Sequence, residues 1–135
     1  MATDPAFAAT INCGSQLLGS AETDLQSPAQ TSTVLTAGSS GTKIEEIVIE
    51  ASKSASLVAT TVAGLVYLFL YDGSTYHLFD TVTITAITAS STAAPFRTSK
   101  TYTNLVIKSG WSLRASQSIS GNASILKCLA FGADL

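Results

Sequence analysis

The sequence predicts an all-β protein: an antiparallel β-sandwich of seven to eight strands, jelly-roll-like in its arrangement. Three observations predict it. Charged residues make up only 12% of the 135 residues, which argues against a helical bundle or a solvated disordered chain. Ser, Thr and Ala together exceed a third of the chain, and Thr with Val and Ile favours strands. Short apolar runs recur between Gly, Ser, Asn and Asp, and no long window has a helical period.

Residues 1–30 differ in composition from the remainder, so the sequence divides into an N-terminal arm or extended segment (1–30) and a β-sandwich domain (31–135). The first segment carries Pro5 and Pro28, three acidic residues and no cation. Two interpretations stay open for it: an arm that becomes ordered on a partner, or a loop packed along the edge of the domain.

From residue 31 onward, strands are predicted at short spacing: 31–37, 43–52, 65–71, 76–87, 101–107, 111–116 and 124–131. Residues 43–52 alternate between apolar and polar positions, as in a half-buried strand. Residues 65–71 are apolar on both faces, which predicts either a central strand or one with a face in a subunit contact. Asp72-Gly73 predicts a tight hairpin turn, because Gly tolerates positive φ.

Charge and hydropathy exclude several function classes. Seven Lys and Arg against nine Asp and Glu give a net charge of −2, and the cations are scattered singly. Nucleic-acid binding needs a basic patch, so we expect none. The most apolar stretch, 57–71, is shorter than a membrane-spanning helix, and the N-terminus lacks a signal-peptide pattern. We therefore expect neither export nor a membrane anchor.

Candidate catalytic and cofactor-binding residues are few, and we expect no enzyme activity, no cofactor and no metal site. His77 is the single histidine, near Asp80, but no serine lies in a nucleophile-elbow pattern, so a strand-surface role is favoured. Three carboxylates, Glu45, Glu46 and Glu50, are best interpreted as a solvated face of a strand. The loop 38–41 lacks the spacing of a phosphate-binding loop.

The two cysteines, Cys13 and Cys128, are too few for a disulfide scaffold and lack metal-ligand spacing. Cys128 lies in an apolar run and is interpreted as a buried thiol. Whether the two pair is left open.

Five segments of the chain have a recognisable pattern: 36–44, 63–73, 82–90, 110–116 and the C-terminal Ala-Phe-Gly-Ala-Asp-Leu. Together they resemble a family of small virion structural proteins of tailed bacteriophages and prophages, and the resemblance covers about residues 34–135. The chain departs from the family pattern at Ala89-Ser90, where a Pro is expected. The resemblance implies a jelly-roll sandwich that forms an oligomer, a trimer, on a capsid lattice.

The resulting expectation is a capsid decoration (cement) protein on the outer capsid surface, assembled in the bacterial cytoplasm, with the major capsid protein and itself as partners. The alternative is a tail, baseplate or head-fibre protein that binds a receptor or glycan through Tyr71, Tyr76 and Trp111. A small hydrolase built around His77 is a third, disfavoured hypothesis. The predicted partner contacts are Leu65, Tyr67, Phe69, Tyr71, Trp111 and Arg114. Trp111 is also interpreted as a strand-start residue that closes one end of the core.

Overall fold

The computed structural model describes residues 10–52 and 59–135, which form two antiparallel four-stranded sheets packed face to face. The strands are β1 (Thr10–Leu17), β2 (Ser32–Thr36), β3 (Thr42–Ala51), β4 (Gly64–Tyr71), β5 (Tyr76–Ile84), β6 (Arg97–Ile107), β7 (Ser112–Gln117) and β8 (Leu126–Asp134). A single 3₁₀ turn, Ser120–Asn122, precedes β8. Sheet I has the order β1-β8-β3-β6, and sheet II has the order β2-β7-β4-β5. The all-β sandwich prediction is confirmed.

The pairing of the strands is nested. Each strand from the first half of the chain pairs with its counterpart from the second half: β1 with β8, β2 with β7, β3 with β6 and β4 with β5. The chain thus forms one long hairpin with the β4–β5 turn at its tip. Its four strand pairs belong alternately to sheet I and sheet II. This is the eight-stranded jelly-roll arrangement.

The tip of this hairpin is the turn that the sequence predicts at Asp72-Gly73. Gly73 has a φ of +103°, a conformation that L side chains rarely adopt. The Asp72 carboxylate accepts backbone N–H bonds from Ser74 (2.9 Å) and Thr75 (2.7 Å). These bonds, led by the one from Thr75, together with His77 hold the pKa of Asp72 well below its ordinary value.

Strand β1 lies within the segment that the sequence assigns to an arm or extended segment. It pairs with β8 along its whole length, from Thr10↔Asp134 to Leu17↔Lys127, and Leu18, just after it, is fully buried in the core. The described sandwich therefore begins at Thr10 rather than at residue 31. The sequence does not predict this strand because its inward positions are polar or glycine. At Gly14, a Cβ would clash with the Val34 carbonyl oxygen.

The remainder of this segment is a loop organised by one buried carboxylate. Glu22 Oε1 accepts the backbone N–H groups of Thr23 and Asp24 (both 2.9 Å), and Oε2 accepts that of Gln30 (2.6 Å). The Glu22 backbone N–H in turn donates to the Gln117 carbonyl oxygen at 2.8 Å. The pKa of Glu22 is lowered, chiefly by the bonds from Asp24 and Gln30, because these N–H groups favour the ionised form.

The core lies between the two sheets and is built from the inward positions of the alternating strands. It includes residues that the alternation of 43–52 assigns to one face, Ile47, Ile49 and Ala51, all nearly inaccessible to solvent.

The open side of the sandwich, between β5 and β6, is closed by polar contacts. Lys100 Nζ and the Tyr102 hydroxyl both donate to the Asp80 carboxylate, at 2.6 and 2.7 Å from Oδ2.

Candidate interaction surfaces

Four side chains on the outer face of sheet II form a compact group, which we call the Arg114 cluster: Phe69, Tyr71, Tyr76 and Arg114. The β4–β5 register pairs Tyr71 with Tyr76, and the β4–β7 register pairs Phe69 with Arg114. The guanidinium carbon of Arg114 lies 4.3 Å from the Tyr71 ring centroid and 5.8 Å from that of Tyr76. Such cation–π contacts hold a guanidinium by about 0.5–2 kcal/mol.

Hydrogen bonds fix the cluster further. Arg114 Nη1 donates to the Tyr76 hydroxyl oxygen at 3.2 Å, and Nε donates to Ser112 Oγ at 3.3 Å. The Tyr76 hydroxyl also lies 3.3 Å from Thr31 Oγ1, which joins the cluster to the loop before β2. The two tyrosine rings pack at 4.3 Å between centroids. Both tyrosines and the arginine remain half-buried, so the cluster is a rigid, partly accessible surface.

Phe69 departs from the predicted set of partner contacts. Its exposure is 0%, and its ring packs edge-on against Tyr76 at 5.9 Å. It lies on the outer face of sheet II, as the alternation requires, but other side chains of the folded chain cover it. Leu65 (36% exposed) and the half-buried Tyr67 lie on the same face further along β4, opposite Thr83 and Thr81.

Trp111 lies apart from the other predicted contacts. It directly precedes β7, packs against the hydrophobic core and stacks on the His77 ring, with 5.5 Å between centroids and 14° between planes. Because side chains alternate along a strand, His77 and Tyr76 point to opposite sides of β5. Trp111 therefore does not share a surface with the tyrosines, and its interpretation as a residue packed at the end of the core agrees with its contacts.

The residues considered for catalysis are dispersed. His77 Nε2 lies 3.0 Å from Asp72 Oδ2, whereas Asp80, the acid near it in sequence, bonds Lys100 instead. Glu45 forms an ion pair with Lys43 at 3.3 Å. Residues 10–52 and 59–135 contain no group of three or more His, Cys, Asp or Glu placed to hold a metal ion. In the same described ranges, no helix is long and apolar enough to cross a membrane.

The two cysteines are both free thiols, so no disulfide joins the ends of the chain. Cys13 is exposed on β1, and Cys128 is buried in β8. Burial raises the pKa of the Cys128 thiol to about 12, because the thiolate loses its hydration in the core.

Sequence reasoning missed an apolar surface on the outer face of sheet I. Gly14 faces β2, so the odd-numbered residues of β1 point away from the core. The registers then align four outward rows across β1, β8, β3 and β6: Ile11–Ala133–Lys43–Val106, Cys13–Phe131–Glu46–Thr101, Ser15–Leu129–Val48–Ser99 and Leu17–Lys127–Glu50–Arg97. The β1–β8 half of this face is largely apolar, with Ile11 83% and Phe131 43% exposed. The apolar residues at positions 11, 13 and 17 alternate as in a strand. This pattern predicts β1 only if the apolar face of the strand points outward, away from the core.

Comparison with known proteins adds nothing to this geometry: no protein-family model matches the chain, nor does any curated protein or solved structure at a significant level.

Proposed function

We propose that this protein is a non-enzymatic virion structural protein, a capsid decoration protein that binds the major capsid protein on the outer surface of the particle. The observation that carries the proposal is the largely apolar β1–β8 half of the outer face of sheet I. The outward face of an antiparallel sheet is ordinarily polar, because it contacts water. Contiguous apolar side chains there are a mark of protein–protein contact.

The composition of this face suits attachment to a protein lattice. Ile11 and Phe131 lie in adjacent rows on neighbouring strands, and Leu129 continues the apolar strip. Charged residues of both signs, Lys127 and Glu50, border the strip in the last row. An apolar centre with a mixed polar rim is the usual anatomy of a specific interface.

The fold adds a second line of support by analogy. Eight-stranded jelly rolls recur in viral capsid and lectin domains. Fold alone does not establish function, so the analogy only strengthens what the surface suggests. Assembly in the bacterial cytoplasm agrees with two free thiols, since that compartment is reducing.

The test is attachment to capsids assembled without this protein. Purified protein is mixed with them, and its copy number per lattice site is measured by quantitative mass spectrometry and electron microscopy. We expect Phe131→Asp to reduce attachment at least tenfold, because it buries a carboxylate in the contact. Leu78→Asp is the matched control, since Leu78 is 41% exposed on the outer face of sheet II. Failure of the unaltered protein to attach, or equal loss in both variants, would contradict the proposal.

A second candidate is a tail, baseplate or head-fibre protein that binds a receptor or glycan. The Arg114 cluster favours it, because half-buried tyrosines beside a fixed guanidinium offer a ring face and donors to a sugar. Tyr71→Ala would then abolish binding to host cells or glycans while leaving capsid attachment unchanged. Binding that survives this variant excludes the Arg114 cluster as the recognition site.

A further inference from the structure

The outer edge of β1 presents unpaired backbone groups. The Leu18 N–H donates to the Leu126 carbonyl oxygen of the β8 side at 2.8 Å. Because successive residues of an antiparallel strand alternate in direction, the N–H and C=O groups of the odd residues 11–17 point away from β8. The Leu17 carbonyl oxygen confirms this direction by accepting a bond from Ser32 Oγ at 3.3 Å. Within the described chain, no other element pairs with this edge.

This edge lacks the features that ordinarily prevent pairing with another strand. Sheet edges are protected by charges, proline, bulges or short length. The edge strand β6 carries Arg97 and Lys100, and β5 carries His77, Asp80 and a bulge. The fourth edge strand, β2, has five residues and a bulge. In contrast, β1 has eight residues, no charge, no proline and an unbroken register with its neighbour.

We propose that β1 pairs antiparallel with β1 of a second copy of this chain about a two-fold axis, which joins two copies of sheet I into one continuous eight-stranded sheet. An uncharged strand is compatible with itself, because no like charges meet across the axis. The pairing would also place the apolar outer strips of both copies side by side, since a two-fold axis normal to the sheet keeps outward faces outward.

The register follows from which groups are free. An axis at Cys13 pairs residues 10–16 with residues 16–10 of the second copy and leaves Leu17, whose carbonyl already has a partner, outside the ladder. An axis at Gly14 would instead require the Leu17 carbonyl. The Cys13 axis opposes the two Cys13 residues in a hydrogen-bonded pair, with Cα atoms about 5.5 Å apart. That separation lies within the range that a disulfide spans.

This inference goes beyond the proposed function and does not depend on a capsid. An isologous contact yields a two-fold pair, in contrast to the trimer that the family resemblance implies. The oligomeric state of the purified protein therefore tests the pairing, and capsid attachment tests the proposed function, so that either can fail alone.

The first experiment measures mass and cross-linking of the full chain. We expect a dimer by sedimentation at about 100 µM under reducing conditions, a concentration at which weak pairing is populated. Mild oxidation with diamide should then convert it to a disulfide-linked dimer, and Cys13→Ser should abolish the cross-link while preserving the dimer. In the double variant Cys13→Ser, Ser15→Cys, the two thiols would lie roughly 14 Å apart along the strand and should not cross-link. A monomer or trimer by mass, or a dimer that cross-links only through position 15, overturns the proposal.

The second experiment blocks the edge. Ser15→Pro removes an N–H that points away from β8, so it leaves the β1–β8 bonds intact and should weaken the dimer about tenfold or more. If that variant does not fold, Cys13→Lys serves instead, because it opposes two cations on the axis. Its control is Val106→Lys, a 51% exposed site on the far edge strand. A dimer that survives Cys13→Lys, or that Val106→Lys weakens equally, overturns the proposal.

Discussion

Glu22 organises the loop that leads into β2, and its replacement by Gln tests how much one carboxylate contributes to the fold. The Gln side chain has nearly the same shape but offers one acceptor oxygen and an NH₂ group. Oε1 of Glu22 accepts two backbone N–H groups, which the Gln oxygen can still accept. Oε2 accepts the Gln30 N–H at 2.6 Å, and there an NH₂ group would face a donor.

The expected cost follows from these three bonds. Losing one charge-assisted bond and weakening two others amounts to about 2 kcal/mol of unfolding free energy. For a domain of this size, that loss lowers Tm by roughly 6–10 °C. Urea unfolding followed by the fluorescence of Trp111, the one tryptophan, measures it directly. Asp24→Asn is the matched control: it keeps the oxygen that accepts from Gln26 and Ser27, so its free energy of unfolding should stay close to that of the unaltered protein.

The effect should also depend on pH with a definite sign. The pKa of Glu22 is lower in the folded than in the unfolded chain, where it is near 4.5. Its contribution is therefore complete above that pH and is lost as the pH falls through the lower, folded value. The difference between the unaltered protein and Glu22→Gln should be constant from about pH 6 to 8 and shrink below about pH 4.5. A difference under 0.5 kcal/mol at pH 7, or one that persists unchanged in acid, would refute the role assigned to Glu22.

Three further predictions follow from burial. Phe69→Ala should lower the free energy of unfolding, measured in urea, by about 3–5 kcal/mol, because the ring is fully buried on sheet II. A loss below about 1 kcal/mol would mean that the ring is exposed in solution. Ser116→Ala should be neutral or stabilising in the same assay, since its buried hydroxyl has no hydrogen-bond partner in the described chain, and a loss above 1 kcal/mol would reveal a hidden partner. A thiol reagent at pH 8 should modify Cys13 rapidly and Cys128 only after denaturation, because burial raises the pKa of Cys128 to about 12; rapid modification of both in the native protein would contradict this burial.

Much of the fold was predictable because most of its strands bury one face. The alternation in 43–52 corresponds to β3, and the Asp72-Gly73 turn is the tip of the nested hairpins. Strand β1 escaped because its inward residues, Asn12, Gly14 and Gln16, are polar or glycine. Asn12 donates to Asp134 and the Thr36 carbonyl oxygen instead of packing in the core. A pattern that assumes an apolar interior does not recognise such a strand.

The predicted set of partner contacts depends on side-chain exposure, which alternation does not predict. Alternation places Leu65, Tyr67, Phe69 and Tyr71 on one face of β4, and the β4–β7 register adds Arg114 to that face, opposite Phe69. It carries no information on which of them a neighbouring side chain covers. The folded chain decides that this ring is inaccessible, because neighbouring side chains, Tyr76 among them, cover it.

By itself, the sequence determined the strands from β2 to β8 and the position of the β4–β5 turn, because both depend on residues close together in the chain. It also determined the scarcity of charge along β1. The tertiary structure alone decided that Thr10–Leu17 pairs with the C-terminal strand more than a hundred residues away, and that its apolar side chains face outward. Such pairing depends on which edges remain free once the other strands have assembled, a property of the whole fold that no local pattern encodes.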